Sequence, residues 1–226
     1  MPSVEQVRAT LPKAFHDKYE ITFAIIDASE VFIQVPSDLH MQSSTWSSYK
    51  HNNTAKFLIA CTPNGVICYI SPLFVGSISD IELTQVSGFL EKLDGKKGIS
   101  IMADRGFTIQ EQLQKIGVAL NIPPFLNDCK QLPPEDVQKG RHIASLRIHI
   151  ERAIGRMKKY DILQGVFPLS MVRLANQIIC VCAWLTNFQP VLIAPTPHLL
   201  EAQVEEYFQA LDDTESETER NDTLNI

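Results

Sequence analysis

Short, dense apolar runs alternate along this chain with polar stretches of helical spacing. The run ITFAIIDASEVFIQV, residues 21–35, is rich in β-branched and aromatic residues and predicts a long buried strand with two acids in it, Asp27 and Glu30. KFLIACT and VICYISPLFV flank Asn64-Gly65, the strongest short turn signal between two apolar runs, and predict a hairpin. After Gly76, apolar positions recur at Ile81, Val86, Phe89, Leu90 and Leu93, which predicts one helix, with Ser77 and Asp80 in a capping arrangement at its start. KGISIMA predicts a fourth strand closed by Asp104, TIQEQLQKIG a helix stopped at Gly117, and VALNI a short fifth strand. Residues 3–18 predict a short helix interrupted near Pro12, Ser37–Thr54 a polar loop, and Pro123–Gly140 a proline-bearing loop. A basic helix from about Arg141 to Tyr160 and an apolar helix from about Ser170 to Phe188 complete the pattern.

Three strands, a helix, a strand, a helix, a strand and then helices imply a mixed sheet with helices on both faces. That element order resembles the ribonuclease H-like fold, so the expected class is α/β: a ribonuclease H-like mixed five-stranded sheet flanked by helices. A chain of 226 residues with 45% apolar composition can fill one such core. The expected organisation is an N-terminal helical extension over 1–20, the main domain over 21–195, and an acidic tail over 196–226, disordered beyond about residue 212.

Charge changes the picture. The total is −6, but Glu201–Ile226 holds nine acids and one arginine, a local −8 that leaves +2 on residues 1–200. Within those, Lys139–Tyr160 carries seven Lys or Arg against the single acid Glu151. Such a segment is the footprint of a protein that meets phosphates, although a solvated helix face gives the same pattern. The five cysteines form no CxxC pair, which favours reduced thiols over a disulfide framework or a structural zinc site. The apolar run Ile178–Phe188 is too short to cross a bilayer, and MPSVEQVRAT lacks the plan of a secretory signal. An intracellular, soluble protein without a membrane partner is the expectation.

Candidate chemistry centres on acids from separate elements: Asp27 in the first strand, Asp104 at the end of the fourth, and Glu151 within the basic helix. Carboxylates held a few ångströms apart repel and raise one another's pKa, a penalty that a divalent cation removes. The runs IIDASEVFIQVP, YKHNNTAKFLIACTPNGVICYISPLFVGSISDIELT, IMADRGF, IPPF and HIASLRIHIERAIGRMKKYDIL are similar to the DDE endonuclease domain of PIF/Harbinger-type transposases and of genes derived from them. The similarity covers residues 20–190 or so. It implies Asp27, Asp104 and Glu151 as catalytic acids and metal ligands, with Asp80 of GSISD as an auxiliary metal ligand. It also implies two Mg²⁺ or Mn²⁺ ions, DNA as the partner and nicking of DNA by hydrolysis, with joining of a 3′-hydroxyl to target DNA. Arg147, Arg152, Arg156, Lys158 and Lys159 would seat the DNA backbone; Arg147, four residues before Glu151, could instead orient that carboxylate. Asp80 has an equal structural reading as a first-turn helix acid.

Only 26 residues precede Asp27, without a helix-turn-helix or zinc-finger pattern. Sequence-specific recognition is therefore expected from a separate DNA-binding partner, a homo-oligomer is a further expectation, and the implied location is nuclear, with a cytoplasmic pool allowed. The competing reading is a domesticated, non-cleaving scaffold that binds DNA or protein. His149 and Glu151 are spaced to face different sides of a helix, Cys180 and Cys182 read as core, and Trp46 and Tyr49 read as loop aromatics that fold onto their own domain or stack on an unpaired base.

Overall fold

A computed structural model describes residues 1–126, 132–190, 192 and 193. The acidic tail and its proposed disorder, with Cys129, lie outside the described residues. The chain runs α1 (Val4–Ala9), α2 (Lys13–His16), β1 (Thr22–Phe32), α3 (Leu39–Thr45), β2 (Trp46–Ser47), β3 (Asn52–Cys61), β4 (Ile67–Ile70), β5 (Phe74–Val75), α4 (Asp80–Val86), α5 (Phe89–Leu93), β6 (Ser100–Met102), α6 (Gln110–Lys115), β7 (Ala119–Asn121), α7 (Pro134–Met157), α8 (Asp161–Gln164) and α9 (Ala175–Thr186), the last preceded by a 3-10 segment, Leu169–Leu174.

β1 is central. It pairs antiparallel with β3 and parallel with β6, and β6 pairs parallel with β7. The far edge of β3 is covered in three pieces by β2, β5 and β4. Seven strands thus make a mixed sheet five positions wide, in the order of the ribonuclease H-like fold. The three-piece edge is why five strands were legible and seven are present.

Side chains alternate across the sheet and build one core on each face. Ile25, Val31, Phe57, Ile59 and Cys61 pack with Ile143, Leu146, Ile150, Ala153 and Met157 of α7 and with Ile179, Cys182 and Ala183 of α9. Ile26, Leu58 and Ala60 pack on the other face with Leu83, Phe89, Leu93, Phe107 and Leu113. The N-terminal helices belong to this body: Val7 enters the second core, while Leu11, Phe15 and Tyr19 enter the first.

Four local expectations are corrected. Ser37–Thr54 contains α3, capped by Asp38 Oδ1 accepting from the Met41 amide at 2.8 Å, together with β2 and the start of β3. Polar composition hid these because Leu39 and Met41, both exposed and two residues apart, make no apolar helical stripe. The helix expected after Gly76 is two, α4 and α5, broken at Gly88 with φ +81°. Ser79, not Ser77, caps α4, accepting from the Glu82 amide at 3.2 Å. α7 begins at Pro134 rather than near Arg141, with Glu135 and Asp136 in its first turn, so part of the expected proline-bearing loop is helix. The Asn64-Gly65 turn stands as expected, with Gly65 at φ +89°.

Gly76 follows β5 where two backbones nearly touch. A Cβ there would meet Thr54 Oγ1 and lie 2.6 Å from the Thr45 carbonyl oxygen. Gly76→Ala is therefore expected to destabilise the domain by roughly 1–3 kcal/mol, read as a lowered denaturation midpoint with an unchanged slope.

Candidate active site

The three acids converge because the topology leaves no alternative. Asp27 shares the face of Ile25 on β1 and looks toward α7. β6 lies beside β1 with Met102 opposite Ile25, so Asp104, two residues past the strand, arrives next to Asp27. On α7 and its C-cap, Arg147, Glu151, Ile154 and Lys158 follow the i, i+4, i+7, i+11 spacing of one helix face and look into the same space. The result is a cavity of about 610 Å³ lined by Asp27, Asp80, Asp104 and Glu151, with Glu30, Tyr49, Lys50, Lys56, Arg147 and Lys158 among its walls.

Arg147 holds the centre. It is only 8% exposed, with Nη2 at 3.9 Å from Asp27 Oδ2 and Nη1 at 3.4 Å from Asp104 Oδ1. Its guanidinium faces Asp27 and Asp104, an orientation different from both expected ones, toward Glu151 or toward a phosphate. Asp27 Oδ1 accepts from the Ala28 amide at 2.9 Å, and Asp104 Oδ1 accepts from the Arg105 amide at 2.7 Å. Burial nevertheless dominates at Asp27: the Arg147 charge and the Ala28 amide pull its pKa down, Asp104 and Asp80 push it up, and the balance is about 6, above the usual 3.8.

Asp80 opens α4 and comes to the cavity from the other face of the sheet. Its Oδ1 is 2.8 Å from Lys56 Nζ, close enough for an ion pair, yet no hydrogen bond of good geometry reaches that buried oxygen. Gly106 is required for room rather than for its backbone angle: a Cβ there would lie 2.8 Å from Asp80 Oδ2. Absence of a side chain at Gly106 thus lets the Asp104 turn sit against the Asp80 carboxylate. Glu151 is exposed on the cavity wall and has no ion pair among the described residues.

The remaining cations divide. Lys158 is partly buried, donates to the Glu30 carbonyl at 2.8 Å, and has its pKa lowered by desolvation and by nearby Lys50. Arg156 donates to the Pro190 carbonyl, and Arg152 and Lys159 are exposed along the outside of α7. Lys56 is a wall residue that sequence reasoning did not single out, and Glu30, noted there as a strand acid, was given no role at the site. A lone lysine opposite a lone glutamate in paired apolar strands was the available signal.

A match to a family model decides what this cavity is compared with. The model described as DDE superfamily endonuclease matches residues 26–187, most of the chain and all of the cavity's walls. The chain belongs to this family. Nucleases of this family are transposase-like, act on DNA and generally use divalent metals. No curated protein and no solved structure matches the chain.

The donor set of this DDE endonuclease domain suits such an ion. Its oxygens are hard carboxylate donors, the kind Mg²⁺ and Mn²⁺ prefer. Burial holds the Asp27 pKa at about 6 even with Arg147 beside it, and Lys56 Nζ, 2.8 Å from Asp80 Oδ1, makes no well-aligned hydrogen bond to it. Among the described residues no three acids, histidines or cysteines stand close enough to ligate one ion together, and Arg147 occupies the approach between Asp27 and Asp104.

The raised pKa of Asp27 has a stability consequence. A carboxyl that binds its proton more tightly when folded costs stability above its unfolded pKa. That cost grows as pH rises from about 4 to about 6 and is complete above that. Asp27→Asn is expected to raise neutral-pH stability by up to about 3 kcal/mol, with the gain vanishing near pH 4. Thermal melts of both proteins across this range measure it.

Proposed function

We propose that this domain is a divalent-metal-dependent DNA endonuclease of the PIF/Harbinger transposase type, acting on chromosomal DNA in the nucleus. The observation that carries the reading is the arrival of Asp27, Asp104 and Glu151 from β1, the turn after β6 and α7 on one cavity, in a chain whose family is known for DNA cleavage. The runs around these acids, IIDASE, IMADRGF and RIHIERAIGRMKKY, support the finer assignment by their similarity to PIF/Harbinger-type domains.

Asp27 and Asp104 would share one Mg²⁺ or Mn²⁺ ion, Glu151 would hold a second, and Asp80 would assist from the opposite wall. Bound there, the ions supply Lewis-acid activation of a water or 3′-hydroxyl and stabilisation of the leaving oxygen at a phosphodiester. The protein's own contribution is position. Asp27 is paired with Ile59 of β3 just past the last β6 partner, Ile25, and Asp104 accepts a hydrogen bond from the Arg105 amide, so both acids stand on ordered backbone. Arg147 keeps the two acids from repelling each other. Lys158 offers positive charge at the α7 wall of the cavity, and Arg152 and Lys159 extend it along the outside of the helix, where a DNA backbone would lie. Sequence specificity and joining of cut ends would come with a DNA-binding partner or a second copy of the chain.

Purified protein is expected to nick plasmid DNA with Mg²⁺ or Mn²⁺ and not with EDTA. Asp104→Ala is expected to lower the nicking rate at least a hundredfold while the circular dichroism spectrum and melting profile stay those of a folded protein. Nicking that persists in Asp104→Ala, in preparations free of contaminating nuclease, contradicts the assignment. DNA binding without cleavage under any divalent ion favours the non-cleaving scaffold instead.

A further inference from the structure

One aromatic on the cavity rim is not accounted for by the fold. Tyr49 lines the same cavity as the four acids, yet it is 81% exposed. Among the described residues its hydroxyl makes no hydrogen bond and its ring meets no other aromatic ring. Lys50 Nζ sits 4.6 Å from the ring centroid. A tyrosine this exposed, with one neighbouring lysine over its ring, contributes little to stability, so a loop aromatic folded back onto its own domain is not what is present.

The turn that carries Tyr49 is held firmly. β2 and β3 close it through the Trp46–Asn53 and Ser47–Asn52 pairs. The Lys50 amide donates to Ser47 Oγ at 3.2 Å, and His51 adopts a left-handed φ of 51°, uncommon for a residue with a side chain. Below the turn, Asn53 Nδ2 donates to the Gln42 carbonyl and to Thr45 Oγ1, each at 2.8 Å, tying the hairpin to α3. Holding a tyrosine out over a charged cavity on a braced turn is an arrangement for a ligand.

The neighbours define that ligand. A flat ring offers stacking, Lys50 beside it and Lys158 on the α7 wall offer positive charge, and the acids below are those assigned to phosphodiester cleavage. A nucleobase with phosphates on either side has all the matching chemistry. In continuous duplex DNA both faces of every base are covered by neighbours, so a protein ring can stack only on a nucleotide that has left the helix or was never paired. Resting on the DNA-cleaving reading above, we infer that Tyr49 is the stacking platform for an unpaired nucleotide of the strand to be cut, with Lys50 and Lys158 placed for its flanking phosphates. Tyr49 is then a positioning residue, and the preferred substrate is DNA that is mismatched, gapped or single-stranded beside the scissile bond.

The test uses the full chain carrying Asp104→Asn, so that DNA is bound with Ca²⁺ and not cut. Two short DNAs of one sequence are compared, one fully paired and one with a 2-aminopurine opposite a gap. The parent is expected to bind the gapped DNA more tightly and to quench 2-aminopurine emission. Tyr49→Ala is expected to weaken gapped-DNA binding roughly tenfold, a loss within the range for one base–aromatic stack, and to restore the emission. Its affinity for paired DNA should stay within about twofold of the parent's, and Tyr49→Trp should retain both the affinity and the quenching. Equal binding of both DNAs by the parent and Tyr49→Ala, or an equal loss on both, overturns the role of Tyr49 while leaving the nuclease assignment standing. A parent that binds neither DNA removes both.

Discussion

Asp27 is a carboxylate on a strand whose neighbours are buried hydrophobics, with two more acids, Asp104 and Asp80, close enough to push its pKa upward. Negative charge gathered at the end of a packed sheet needs positive charge close by. In this structure the resident charge is Arg147, buried on α7 and shared between Asp27 and Asp104 at distances that suit ion pairs and are too long for strong hydrogen bonds. Lys56 does the same for Asp80 from β3. Both cations lie on regular elements, so the compensation is part of the architecture and not of a mobile surface. Burial outweighs that compensation at Asp27 and leaves its pKa at about 6. A divalent cation is the species best able to complete the compensation.

Everything else at the site follows from sheet order. β1 in the centre holds Asp27 against β3, the parallel neighbour β6 delivers Asp104 at the same end, and α7 crosses that end with Arg147, Glu151 and Ile154, and Lys158 at its C-cap, on one stripe. The hairpin of β2 and β3 then sets Tyr49 and Lys50 over the opening. With the start of α4, which brings Asp80, five segments far apart in the chain contribute to the walls. The extent of the family match, residues 26–187, spans all five.

Much of this was legible in the sequence. The β-branched run around Asp27, the Asn64-Gly65 turn and the strand before Asp104 carry local signals strong enough to give element order, and with it the neighbourhood of the acids. What escaped has a common cause. The α3–β2 segment is short, half-exposed and without apolar period, so its structure comes from the Asp38 cap and the contacts of Asn53. α4 and α5 read as one helix because spacing continues through Gly88 while the backbone does not. Helical spacing offered Glu151 as the partner of Arg147. Packing of α7 against the sheet turned the guanidinium to Asp27 and Asp104 instead, a long-range outcome that i, i+4 reasoning does not contain. The ion pair of Lys56 with Asp80 and the room made by Gly106 are likewise visible only once strands and helices are in place.

The central claim is that Asp27, Asp104 and Glu151 form one cation-binding centre. Anomalous diffraction from crystals soaked in Mn²⁺ tests it most directly. The account predicts manganese at the Asp27 and Asp104 carboxylates, with Glu151 drawn toward the same centre. Crystals of intact, well-ordered protein that show no manganese at these acids, or show it only at other carboxylates on the surface, would contradict it.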